Sequence, residues 1–179
     1  MNITVYLGSS PGKDPKYREA AAELGAWIGA HGHRLVYGGS AIGLMGVLAD
    51  AVLKAGGEVI GVEPRFFIES ALQHDGITEL IAVDTMHQRK EKMIELGDAF
   101  LAFPGGTGTL EEIAEIMSRV KLGLGDEPCL LYDLDGYYRS LRQLLADMEG
   151  EGFLAPGDRE KFRFIRNLDE LEEALAGAK

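Results

Sequence analysis

The chain has 179 residues, room for one domain with a substantial core, and is 46% hydrophobic against 26% charged, a globular composition. Its 18 Lys and Arg against 29 Asp and Glu give a formal net charge of −11, which argues against nucleic acid or an anionic membrane as partner. The one cysteine, Cys129, excludes an internal disulfide and is expected as a small core residue.

No uncharged apolar run reaches the roughly 18 residues of a membrane span, and the N-terminus reads directly as a strand without a basic region. A cytoplasmic protein is the expectation. An anionic small molecule would still need a basic group inside a cleft.

Ile3 to Leu7 read as a first strand, ending in Gly8-Ser9-Ser10-Pro11-Gly12. Asp14-Pro15 supplies an N-cap and a first-turn proline for a helix whose apolar stripe is Tyr17, Ala20, Ala21, Leu24 and Ile28. Trp27 is expected at the edge of that stripe. Leu35 to Tyr37 make a second strand, followed by a glycine loop from Gly38 to Gly46 and a broadly apolar helix from Leu44 to Ala55. Val59 to Val62 form strand three. Glu63 to Gly76 is the least regular stretch; Phe66, Phe67 and Ile68 there suit a pocket wall, a dimer contact or a cap on the core, with core or dimer packing the default.

Glu79 to Val83 read as a strand and Thr85 to Gly97 as a helix; Ala99 to Phe103 form a short strand buried on both faces. Pro104-Gly-Gly-Thr-Gly-Thr109 follows, and from Leu110 the residues Leu110, Ile113, Ile116, Met117 and Val120 repeat at helical spacing. Cys129 to Tyr132, Gly136 to Glu149, Phe164-Ile165 and Leu168 to Ala176 complete the chain as strand, helix, strand, helix. Strands alternating with helices predict an α/β fold: one Rossmann-like domain over residues 1–179, a doubly wound parallel sheet flanked by helices.

Such sheets bind ligands beyond the carboxyl ends of their strands. Three glycine loops fall at such ends, which favours a nucleotide or phosphate cleft. The Gly38 loop does not spell Gly-x-Gly-x-x-Gly and strand two lacks an acidic residue for a ribose diol, so a dehydrogenase is disfavoured; Gly-Lys-Ser/Thr is absent, which disfavours a P-loop enzyme. Strand, glycine loop and helix start at Ala99 to Glu112 offer unpaired amides and the positive end of a helix dipole.

Glu112 has two readings. Thr109 as N-cap with Glu112 three residues on spells a capping box; alternatively Glu112 is a carboxylate held beside an anion site. Local spacing does not choose. In the helix Thr85 to Gly97, Met86, Met93, Ile94 and Gly97 share one face, with Lys90 on that stripe and Arg89 at its edge. Cations on an inward face need a buried anion or a cleft, unless their stems snorkel over the core with heads in water. His31, His33, His74 and His87 do not form a metal-ligand cluster, and no cofactor is expected.

Pro104-Gly-Gly-Thr-Gly-Thr-Leu-Glu-Glu112 matches PGGxGTxxE and Met86-His-Gln-Arg-Lys90 matches MHxRK. With Gly8-Ser9-Ser10 and Gly38 to Gly46, the chain resembles the LONELY GUY family of cytokinin riboside 5′-monophosphate phosphoribohydrolases, often labelled possible lysine decarboxylases, from about residue 3 to about residue 154. The resemblance implies hydrolysis of the N-glycosidic bond of an adenine-type nucleoside 5′-monophosphate, and a homodimer.

The family's essential arginine and glutamate fall on Arg89 and Glu112. The implied substrate-binding residues are Gly8, Ser9, Gly39, Met45 and Lys90, together with Pro104, Gly105, Gly106, Thr107, Gly108 and Thr109. Ser40 and Ala41 depart from the family's glycine loop, and Glu63 to Gly76 matches poorly, leaving base preference open. Alternatives are a non-catalytic carrier of a nucleotide or phosphorylated cofactor, and a broader nucleotide monophosphate nucleosidase. A pyridoxal phosphate decarboxylase would have Lys90 alone as its inward-facing Schiff-base lysine, with no group to hold the pyridinium.

Overall fold

The structure, a computed structural model, describes residues 1–177; the last two positions of the expected 1–179 span lie outside the described residues. Seven strands, β1 (Asn2–Tyr6), β2 (Arg34–Tyr37), β3 (Glu58–Pro64), β4 (Glu79–Val83), β5 (Ala99–Ala102), β6 (Cys129–Tyr132) and β7 (Phe162–Ile165), form one sheet in the order β4-β3-β2-β1-β5-β6-β7. All neighbouring strands run parallel. The expected doubly wound α/β fold is the one that forms.

Among the described residues, six α-helices connect the strands and a seventh follows the last one: α1 (Lys16–Ala30), α2 (Gly43–Lys54), α3 (Arg65–Ile68), α4 (Met86–Leu96), α5 (Thr107–Lys121), α6 (Arg139–Gly150) and α7 (Leu168–Ala176). Alternate strand residues feed two cores, as the two-residue period of a strand requires. Ile3, Val5, Leu35 and Leu101 pack with α1, α2 and α7 on one face. Tyr6, Val36 and Phe100 pack with Met93, Ile113, Ile116 and Leu145 of α4, α5 and α6 on the other. Every residue of β5 and β6 is buried, which is why these strands read as unbroken apolar runs. Cys129 is free and buried, as expected.

The amide of Lys16 donates to Asp14 Oδ1 at 3.0 Å and Pro15 has helical angles, so Asp14 caps α1 as its sequence suggested. The broad apolar face of α2 is consumed within the chain: Leu44, Leu48, Ala49 and Val52 are buried. Helix α1 approaches closely because Gly25 and Gly29 lack side chains; a Cβ at Gly29 would stand 2.8 Å from that of Ala55. Trp27 packs half-buried at the core's margin and stacks on His31, as expected of an edge residue.

Several boundaries differ from the sequence expectations. β3 runs to Pro64 and β7 starts at Phe162. α6 begins at Arg139 rather than Gly136, because Asp135 (φ 51°) and Gly136 (φ 76°) are left-handed and interrupt the helix. α5 begins at Thr107, three residues before the apolar repeat, and Leu110 is exposed rather than part of the buried stripe. Phe66 and Phe67 lie exposed on the single turn α3, so they do not cap the core.

β1 and β5 are neighbours at the point where the chain reverses its direction of travel across the sheet. The loops leaving their carboxyl ends turn to opposite faces and leave a crevice between them.

Candidate active site

The crevice at that switch point has a volume of about 270 Å³ and is lined by Leu7, Gly8, Ser9, Met45, Met86, Arg89, Lys90, Gly106, Thr107, Gly108, Thr109, Glu111 and Glu112. Two glycine loops meet at its floor, where the Gly8 amide donates to the Pro104 carbonyl at 3.4 Å. Gly38 supplies clearance: a Cβ there would run into the Arg89 guanidinium and stand 3.1 Å from Met45 Sδ.

α5 opens the anion side of the crevice. Its N-cap is Gly106, and its first helical bond runs from Leu110 N to Gly106 O at 3.1 Å. The amides of Thr107, Gly108 and Thr109 therefore precede any helical acceptor. No acidic residue lies in the first turn, so the dipole's positive end is uncompensated there. Thr109 Oγ1 is buried without a hydrogen-bond partner.

This geometry removes the capping box. Thr109 lies inside α5, and Glu112 turns away from the helix start to accept from Arg89, with Nη1 at 2.8 Å from Oε1. The two side chains are 12% and 11% exposed. Arg89 Nε donates to the Val62 carbonyl at 3.1 Å, which fixes the guanidinium plane from the β3 side. Burial pushes the Glu112 carboxyl above its ordinary pKa while the Arg89 charge pulls it back. Tyr6 lies near Glu112; burial and that carboxylate raise its phenol far enough to keep it neutral.

Arg89 and Lys90 exchange the places their helical spacing assigned. Arg89, expected at the stripe's edge, enters the crevice, whereas Lys90 stands at the rim between Glu111 Oε1 (2.8 Å) and Glu115 Oε2 (3.2 Å) of α5. Lys90 thus ties α4 to α5 through surface ion pairs. Met86 also lies at the rim, 43% exposed, rather than in the core.

The remaining candidate residues fall in three places, of which the first two share Gly8, Ser9 and Gly106. Gly8, Ser9, Met45, Gly106, Thr107, Gly108 and Thr109 line the crevice. Pro104 and Gly105 border a second hollow of about 220 Å³ behind the loop, beside Tyr17, Leu44 and Tyr137. Gly39, with φ +85°, faces Glu63 rather than the crevice; Gly38 is the residue of that pair lying against Arg89.

Glu63 carried no sequence signal beyond a charge at the end of an apolar strand. It is 2% exposed, its Oε2 has no partner, and burial raises its pKa to about 7 although the Arg89 charge opposes this. Tyr37 Oη is likewise buried and unpartnered. Among the described residues no group of three or more His, Cys, Asp or Glu could hold a metal ion, and no helix is long and apolar enough to cross a membrane.

Comparison with known proteins finds relatives over nearly the whole chain. A cytokinin riboside 5′-monophosphate phosphoribohydrolase of Rhodococcoides fascians is 44% identical over 176 residues, covering 97% of this chain and 88% of that protein. One of Arabidopsis thaliana is 44% identical over 173 residues, covering 97% of this chain and 80% of its own length. Among solved structures, the molybdenum cofactor binding protein of Rippkaea orientalis superimposes with a TM-score of 0.74 at 20% identity, covering 98% of this chain and 94% of that one. The molybdenum cofactor carrier protein of Chlamydomonas reinhardtii gives 0.72 at 21% identity, covering 98% of both chains. At such identity these two establish the fold alone. The family model described as possible lysine decarboxylase matches residues 45–175, and with relatives above 40% identity over nearly the whole chain, this protein belongs to that family, the LONELY GUY phosphoribohydrolases.

Proposed function

We propose that the chain hydrolyses the N-glycosidic bond of adenine-type nucleoside 5′-monophosphates, cytokinin riboside monophosphates or AMP, releasing free base and ribose 5-phosphate. The observation that carries this is the buried Arg89–Glu112 pair facing an amide-lined anion site across one crevice. The 5′-phosphate docks on the amides of Thr107, Gly108 and Thr109, with the Thr109 hydroxyl beneath it. Lys90, at the rim, is paired with Glu111 and Glu115 and braces α4 against α5 at the mouth of the crevice.

Phosphate anchoring sets the ribose beside Glu112. As the C1′–N bond breaks, its electron pair leaves with the base, which takes up a proton, and positive charge grows on the ribose as in other glycosyl cleavages. Glu112 stabilises that charge and accepts a proton from the water that adds to C1′. A positioned base of this kind is worth roughly 10²–10⁴ in rate, and burial moves the Glu112 carboxyl toward the operating pH. Arg89 holds Glu112 in place, and its Nη2 beside Gly38 remains available for substrate oxygens.

The test is chromatography of a nucleoside monophosphate panel after incubation with the protein. Free base is expected from adenine nucleotides, and Glu112→Gln should abolish its release while nucleotide binding survives. Binding without release by the wild type would instead identify a carrier. We further propose that the protein is a cytoplasmic homodimer, which fractionation and size-exclusion mass measurement check.

A further inference from the structure

The phosphate loop is held from behind by two consecutive tyrosines that the reaction itself does not use. Tyr137 Oη donates to the Gly105 carbonyl at 2.5 Å, and Tyr138 Oη donates to the Phe103 carbonyl at 2.9 Å. They reach back because the chain reverses after β6 through left-handed Asp135 and Gly136. A non-glycine residue at such a φ is unfavourable by roughly 1–2 kcal/mol, so the surroundings must impose it. They do: Asp133 Oδ1 accepts from the Tyr138 amide at 2.7 Å and its Oδ2 from Arg142 at 2.9 Å, while Lys16 pairs with Asp135 at 3.1 Å. Strained backbone of this kind collects where a side chain must be aimed.

The target of Tyr137 matters. Gly105 C=O and Gly106 N–H belong to one peptide unit, and among the described residues no peptide bond is cis. In a trans peptide these two groups point in opposite directions. Anchoring the carbonyl toward Tyr137 and the hollow behind the loop therefore turns the Gly106 amide toward the crevice. Glycine on both sides leaves this peptide plane with little intrinsic preference, so an external hydrogen bond decides its orientation. Tyr17 packs edge-on against the Tyr137 ring, with centroids 6.0 Å apart, and limits its swing.

We propose that Tyr137 is a positioning residue for the phosphate site, locking the Gly105–Gly106 peptide so that the Gly106 amide joins the donors of the α5 N-terminus. This rests on the phosphate placement proposed above. It touches no reacting atom, so its loss should appear in phosphate affinity rather than in the chemical step.

The experiment is calorimetric titration of wild type, Tyr137→Phe and Tyr138→Phe with ribose 5-phosphate and with adenine, alongside steady-state kinetics and melting curves. Tyr137→Phe should weaken ribose 5-phosphate binding roughly 3- to 10-fold, the range of one hydrogen bond. KM should rise by a similar factor, with kcat, adenine affinity and Tm near wild type, since Tyr137 is 43% exposed. Tyr138→Phe loses a buried bond away from that peptide and should lower Tm while retaining ribose 5-phosphate affinity. Unchanged ribose 5-phosphate binding in Tyr137→Phe overturns the proposal. So does an equal loss of adenine binding, or an equal loss of ribose 5-phosphate affinity in Tyr138→Phe. Wild-type protein that binds ribose 5-phosphate but releases no base refutes the hydrolase and still tests Tyr137.

Discussion

Arg89 reaches Glu112 across a gap between two helices, and one guanidinium serves both a β3 carbonyl and an α5 carboxylate. Nε is 3.1 Å from Val62 O and Nη1 is 2.8 Å from Glu112 Oε1, so the pair is fixed from two elements at once. A lysine has no planar fork to span both acceptors. Arg89→Lys should lower kcat about 100-fold, the scale of an ångström-level misplacement of a catalytic group. Because Arg89 opposes the burial that raises the Glu112 pKa, the acidic limb of the pH–rate profile should move to higher pH in that variant. Initial rates across a pH series check both.

Gly38 predicts a loss of activity without a loss of fold. Its φ is not in the left-handed region, so alanine is conformationally admissible there. The added methyl would displace the Arg89 guanidinium and crowd Met45. Gly38→Ala should reduce kcat/KM on the scale of Arg89→Lys, about 100-fold, with Tm within a few degrees of wild type. Paired kinetics and calorimetry decide it, and near-normal turnover would mean that Arg89 has room to spare.

Thr109 predicts opposite signs for stability and affinity. Its buried hydroxyl lacks a partner, which is unfavourable by about 1–3 kcal/mol in the free protein. Thr109→Val keeps the shape and removes the orphan, so Tm should rise by roughly 2–4 °C per kcal/mol recovered. The phosphate loses a donor, and KM should increase several-fold. A melting curve and a substrate titration on one preparation test the pair of outcomes.

Glu63 predicts the pH dependence of stability. Its carboxyl titrates near 4.5 when unfolded and at about 7 when folded. Between those values the folded state holds more protons than the unfolded one, so stability falls as pH rises and the loss is complete above 7. The plateau is on the order of 3 kcal/mol, from about 1.4 kcal/mol per pKa unit. The charge acting on Glu63 is that of Arg89 on α4, which favours its ionised form. Glu63→Gln should therefore raise Tm at about pH 8 and leave it near wild type at about pH 4.5, where the folded carboxyl is protonated, the unfolded one is only half ionised and little of the loss has developed. An equal change at both pH values would place the effect in packing.

Much of the frame was legible because it rests on local patterns. The apolar runs Ala99 to Phe103 and Cys129 to Tyr132 are buried strands, and the alternation of strand with helix is enough for a parallel sheet. Boundaries slipped where one backbone conformation outweighed periodicity, as at Asp135-Gly136 ahead of α6. Lys90 was drawn inward by helical spacing, but Glu111 and Glu115 lie on a neighbouring helix that no local window contains.

By itself the sequence determined the layered fold, the three glycine loops and the presence of Arg89 and Glu112 in helices that follow strands. These depend on periodicity and on residue types with special backbone freedom, both written within a few positions. The tertiary structure alone decided that Glu112 meets Arg89 instead of capping its own helix, that Gly38 rather than Gly39 clears the guanidinium, and that Glu63 is buried. Those outcomes depend on the register between β1, β2, β3 and β5, which brings residues more than twenty positions apart within hydrogen-bonding distance, and no local pattern encodes a distance across a sheet.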